Sequence, residues 1–208
     1  MGSIKHKFQQ DLNLDYVNWE VKTLFIGTFN PDCTESKNDA EWFYGRTALN
    51  MFWDTLGYIY ENNPNLGAFG NPNQWKQFCK KHKIAVTDLI SEIHSLDLKI
   101  GVDYNNICVG FSDKKLEQYI DKNQIVSVKV EELIINSNKL KHLKNVYLTR
   151  KGINSTWNTL WNPILKVCKF NNLHVKTLVT PGGFNYFQFN DLFARTPENL
   201  AKLWQINV

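Results

Sequence analysis

Asn30 stands in the turn GTFNPD (27–32) with Pro31 directly after it. A proline biases the residue before it to an extended backbone, so this primary amide is presented at a fixed angle, able to hold a water or a polar ligand. Asp32 and Asp88 are carboxylates that could take a proton from such a water. Trp42, Phe43 and Tyr44 follow one another beside Gly45. Three adjacent aromatics cannot all face a core, so at least one should be exposed or line a cleft, where a flat apolar face suits a planar ligand. Arg46, Arg150 and Lys151 are cations suited to anions such as phosphate. Each group also has a plainer use. Asn and Pro are common in turns, Asp88 is as readily a cap, and Asp32 a solvated loop acid. Phe52 and Trp53, at helical spacing, are read as core.

The elements that must position these groups can be read from apolar runs. VKTLFIG (21–27), IAVT (84–87), NVYLT (145–149) and HVKTLVT (174–180) are apolar, β-branched and bounded by turn residues, so they read as buried strands. Helical patterns lie between them at 48–56, 75–83, 128–143 with a break near 136–138, 155–167, and 198–204, the last opened by Thr196-Pro197. ENNPNLGAFGNPNQW (61–75) reads as a surface loop between two helices. Continuous apolar strands alternating with helices predict an α/β fold, a three-layer α/β/α sandwich around a mostly parallel four-stranded sheet. In such folds working residues gather beyond the carboxyl ends of the strands, here after Gly27, Thr87 and Thr180.

The 208 residues suit a single domain, 1–208, with 1–20 as an amino-terminal extension. At 43% hydrophobic residues the chain can bury a core, which excludes intrinsic disorder. No run of about 18 apolar residues predicts a membrane span, and the first twenty residues lack the apolar stretch of a secretion signal, so a cytoplasmic protein is expected. Cys33, Cys79, Cys108 and Cys168 form no CxxC pair, which predicts four reduced, mostly packed thiols and no metal. A net charge of +4 permits nucleic-acid binding without demanding it. The densest basic run is Lys139, Lys141, His142, Lys144, Arg150 and Lys151; for 139–144 a merely solvated face is an equal reading.

IGTFNPD (26–32) followed by WFYGRTALNMFWDTL (42–56) resembles the first signature of the uracil-DNA glycosylase superfamily, and is most similar to its mismatch-specific and hypoxanthine-type branches. IAVTDLI (84–90) is similar to the family's second strand, NVYLTRKG (145–152) to its third, and LVTPGGFN (178–185) stands in the place of its last motif. The resemblance implies that Asn30 orients the attacking water, with Asn50 and Asp32 as further catalytic candidates. It implies base contacts from Phe29, Phe43, Tyr44 and Asp88. It implies DNA contacts from Arg46, Arg150, Lys151 and the loop Thr180, Pro181, Gly182, Gly183 and Phe184. Three departures stand out: an extra residue in Gly-Thr-Phe-Asn-Pro, Thr47-Ala48-Leu49 where a proline is usual, and a last motif without histidine or serine. Phe184 or Tyr186 could serve as the wedge that prises a base step apart.

The implied activity is a cofactor-free DNA glycosylase that removes a deaminated or mismatched base (uracil, hypoxanthine or thymine class) and acts as a monomer on DNA. Taking a base out of the stack costs a few kcal/mol, and stacking it on an aromatic returns about 1–3 kcal/mol. Two other readings stay open: a catalytically weakened nucleic-acid-binding module on the same fold, and a nucleoside or nucleotide hydrolase.

Overall fold

A computed structural model describes residues 1–33, 40–45, 50–98, 101–151, 154–182 and 196–207. All four expected strands form one sheet: β2 (Thr23–Gly27), β3 (Ile84–Asp88), β6 (Asn145–Leu148) and β7 (His174–Thr177), in the order β3-β2-β6-β7. Every neighbouring pair is parallel, with Thr23 opposite both Ile84 and Asn145, and Asn145 opposite His174. TLFIG and IAVTD are buried at every position, as strands covered on both faces must be. Phe25 packs against Phe52 of α1 (Phe52–Glu61) and Trp204 of α7 (Pro197–Trp204), two helices that lie side by side. Alternation sends Leu24 and Ile26 to the other face, and both are fully buried. The second helical group comprises α4 (Asp113–Asp121) and α5 (Val130–Asn136), each packed on α6 (Ser155–Phe170), which in turn contacts β7. The result is a parallel four-stranded sheet flanked by helices.

The expected helices form with shifted ends. α1 begins at Phe52, where the Asn50 Oδ1 accepts the Phe52 N–H at 3.0 Å. Residues 46–49 lie outside the described residues. α2 (Pro72–His82) starts earlier than its apolar pattern because Asn71 caps it, accepting from the Asn73 and Gln74 N–H groups ahead of a first-turn proline. Thr196 caps α7 as its sequence promises, through the Asn199 N–H.

A second sheet has no counterpart in the sequence reading. β1 (Gly2–Lys5), β4 (Ile90–Leu96) and β5 (Ile125–Ser127) are antiparallel in the order β1-β4-β5. Only Leu89 separates β3 from β4, so the chain passes from one sheet to the other right after Asp88. The first twenty residues, set apart above as an extension, pack into the domain. β1 pairs with β4, and the Tyr16 hydroxyl donates to the Val86 carbonyl at 2.9 Å while accepting the Val86 N–H at 2.7 Å. Trp19 Nε1 donates to the Ile84 carbonyl at 3.0 Å. These contacts cover the free edge of β3, whose unpaired backbone would otherwise invite another strand. A short α3 (Val102–Tyr104) and the turn Asn105–Val109 complete the fold between β4 and α4.

The thiol expectation needs correction. Cys33 and Cys108 form a disulfide across 75 residues, while Cys79 and Cys168 are free and buried. The pair is brought together by the packing of the turn after Pro31 on the turn Asn105–Val109, a juxtaposition that no local cysteine spacing encodes. Burial pushes the Cys168 thiol up to about 11 and Cys79 higher still, so neither is a ready nucleophile. Among the described residues no helix is long and apolar enough to cross a membrane.

Candidate active site

At the carboxyl ends of β2 and β3 the Asn30 Nδ2 donates to Asp88 Oδ2 at 2.6 Å. The same oxygen lies 2.8 Å from His6 Nε2. All three residues are buried, at 7%, 1% and 1% exposure for Asn30, Asp88 and His6, so these bonds are sheltered from competing water. The sequence delivers them by topology. Asp88 ends β3, Asn30 lies three residues past β2, and His6 follows β1, which is paired to β4 directly beyond Asp88. The His6 N–H donates to the Ser91 carbonyl at 2.7 Å and the Lys7 N–H to the Asn30 carbonyl at 2.8 Å.

Of the three consecutive aromatics, Trp42 and Phe43 turn inward and are essentially unexposed. Trp42 stacks on Trp53, which stacks in turn on Trp75, and Phe43 packs against His6 and Phe8. Tyr44 goes the other way. Its φ of +58° is a left-handed conformation that breaks the run, and it remains partly exposed. Gly45 allows this turn because a Cβ there would run into the Trp75 ring. Phe52 holds the Tyr44 plane by stacking at 3.9 Å and 15°, and the Tyr44 hydroxyl bonds to Thr149 Oγ1 at 2.7 Å. Gly27 joins the two halves. A Cβ on it would overlap both the Asp88 carboxylate and the Tyr44 hydroxyl, so both groups close on the end of β2.

The remaining predicted residues fall into four groups. Asn50 is half-buried and forms an isolated bridge with Gly182, while the Met51 N–H donates to the Pro181 carbonyl at 3.2 Å. The first and last motifs therefore touch; Thr180 and Gly182 are half-buried and Pro181 is buried. Phe29, Phe43 and Arg150 are differently employed. Phe29 is 2% exposed and packs beside His6 and Phe111. Arg150 pairs with Asp113 at 3.2 Å and Glu117 at 2.9 Å and lies over the Trp157 ring, so its charge is already compensated. Asp32 and Lys151 are exposed, and the Asp32 N–H donates to the Lys5 carbonyl. Arg46, Gly183 and Phe184, with Tyr186, lie outside the described residues. The run 139–144 precedes β6, at the amino ends of the strands and hence at the far end of the sheet from Asn30.

Sequence spacing does not mark His6, because its partner is 82 positions away. The only local hint is a histidine placed just after an amino-terminal segment that pairs as a strand. An amide held by its nitrogen on a carboxylate has a fixed direction for its Oδ1, the atom that could accept from a hydrolytic water. Among the described residues no three metal-ligating side chains gather.

No protein-family model and no curated protein matches the chain. A solved solution structure from Methanosarcina acetivorans, titled a "putative Uracil DNA glycosylase", is similar to it at 13% identity and a TM-score of 0.49, over 90% of this chain and 91% of that one.

Proposed function

We propose that this chain is a DNA glycosylase-like enzyme that hydrolyses the bond between a deaminated or mismatched base and its deoxyribose. Asn30 directs the water, whose oxygen bonds to the sugar C1′ as the base departs with the bonding electron pair. The proton that the water releases passes to solvent, and the departing base takes one up from solvent. The extruded base stacks on Tyr44, and Asn50 with the Thr180–Pro181–Gly182 loop meets the DNA backbone. Such chemistry builds positive charge on the sugar, and preorganised dipoles of this type are worth about 2.7–4 kcal/mol each. The observation that carries the reading is the buried Asn30–Asp88 hydrogen bond at the carboxyl ends of two adjacent parallel strands, with Tyr44 closing on the same glycine.

The burial of Asn30 favours one other reading, a nucleic-acid-binding module on this architecture that turns nothing over. A panel of oligonucleotides, single- and double-stranded, each with one uracil, hypoxanthine or mismatched thymine, run beside the free nucleosides, separates these readings. Strand scission by alkali after incubation, lowered by about 10²-fold or more in Asn30→Ala, supports the enzyme. Duplex binding with no abasic sites on any lesion supports the module, and turnover of free nucleosides alone supports a nucleoside hydrolase.

A further inference from the structure

We infer that His6 is a positioning residue that sets the direction of the Asn30 amide through Asp88, an inference that rests on the glycosylase-like reading. His6 is enclosed by the rings of Phe8, Phe29 and Phe43, with centroids 5.6–5.7 Å away. Its Nδ1 accepts the Phe8 N–H at 2.9 Å. A neutral imidazole with Nδ1 accepting carries its proton on Nε2, and that proton points at Asp88 Oδ2. The oxygen thus receives two donors, His6 Nε2–H and Asn30 Nδ2–H, while the other carboxylate oxygen rests against the backbone of Gly27. With Oδ2 held by two donors and Oδ1 packed against Gly27, the carboxylate gives the amide it holds a set direction.

The backbone delivers His6 to both partners. Pairing of Ile4 with Ile93 and Lys5 with Glu92 brings it beside Asp88, and the bridge between His6 and Pro31 ties it to the turn that carries Asn30. A residue that only filled space in this ring cluster would need no donor aimed at the carboxylate. A supporting group that fixes the geometry of a reacting one is distinguished by that directed donor.

His6→Phe keeps the ring and removes the donor; His6→Gln keeps a donor near the Nε2 position. Their kcat and KM for base release from a single-lesion duplex are compared with the protection from exchange of the Asn30 side-chain NH2 in ¹H–¹⁵N spectra. His6→Phe should lower kcat about 10²-fold with KM within about two-fold of wild type, and His6→Gln should recover at least about ten-fold of the loss. The Asn30 NH2 protection should fall in the phenylalanine variant and return in the glutamine one. A folded His6→Phe protein with near-normal kcat overturns the inference, as does a glutamine variant no better than phenylalanine with Asn30 unaltered. Should His6→Phe not fold, His6→Asn, whose amide ends short of the Nε2 position, takes its place against His6→Gln. If the wild-type protein releases no base, the functional reading fails. The Asn30 spectra then decide alone, with lost protection upholding the positioning role and unchanged protection refuting it.

Discussion

On the β3 side of the turn after β2, the Asp88 carboxylate is held by an amide and an imidazole; on the β6 side, the Arg150 guanidinium is held between two carboxylates. The second corner also reaches the turn, since the Thr28 hydroxyl donates to Asp113 Oδ1 at 2.7 Å. The Arg150 cation is more than matched by two carboxylates, and the geometry there is that of a tether joining α4, β6 and the turn. Around Asp88 the carboxylate is met by hydrogen-bond donors that fix direction. Ion pairing holds elements together, whereas a directed acceptor orients a neighbour, and only the second arrangement suits the handling of a water. The resemblance had assigned a phosphate to Arg150, but a phosphate would have to displace two carboxylates already in contact with it.

Reduction of the Cys33–Cys108 disulfide is the sharpest way to separate the corners, because it releases the turn three residues beyond Asn30 and leaves the Arg150 tether intact. Closing a loop of this length restrains the unfolded chain, so reduction should cost about 2–4 kcal/mol of stability. Denaturant unfolding with and without dithiothreitol measures it, and Cys33→Ser should match the reduced protein with no further response to reductant. Base release should fall with stability in the reduced protein if the turn must stay in place. An unchanged midpoint would mean that the bond does not constrain this corner.

Replacing Arg150 by Met tests the other side. It leaves Asp113 and Glu117 facing each other without their cation and removes the stacking on Trp157. A fully buried pair loses about 3–5 kcal/mol when one partner goes; these carboxylates are roughly one-fifth to one-quarter exposed (22% and 24%), so about 2 kcal/mol is expected. The comparison requires that DNA affinity and its salt dependence stay near wild type, because the charge is already neutralised. A salt slope reduced by about one would show instead that Arg150 leaves its carboxylates to meet a phosphate.

The two corners differ equally in how far the sequence discloses them. The four parallel strands are plain because burial on both faces makes each a continuous apolar run, and β2 is buried at all its positions. The antiparallel sheet that brings His6 to Asp88 is hidden by its irregularity. In ISEIHSL the buried residues are Ile90, Ile93 and Leu96, a spacing of three that suits a helix, because a register shift between Ile90 and Glu92 breaks the two-residue alternation. α4 escapes notice for a different reason: DKKLEQYID is largely charged, and only Leu116, Tyr119 and Ile120 are buried. The turn at Asn30, the Asp88 strand end and the aromatic triplet are legible as chemistry, as is the inference that the three rings cannot share a core. Which ring stays out is settled by the backbone sign at Tyr44 and by Gly45 under Trp75, both products of tertiary packing.

Tyr44 lies between the two corners, with its hydroxyl against the end of β2 and bonded to Thr149, the residue before Arg150. Tyr44→Phe therefore removes a polar link to the β6 side while keeping the ring that stacks on Phe52. A net loss of about 1 kcal/mol is expected, the worth of one ordinary hydrogen bond, with a further penalty if Thr149 is left without a replacement. Thr149 Oγ1 also donates to the Ile26 carbonyl at 3.3 Å, which limits that penalty. Base release should change little in Tyr44→Phe and fall about ten-fold or more in Tyr44→Ala, since stacking on an aromatic ring is worth about 1–3 kcal/mol per base. Equal activities in the phenylalanine and alanine variants would remove stacking from Tyr44 and leave it as a brace between β2 and β6.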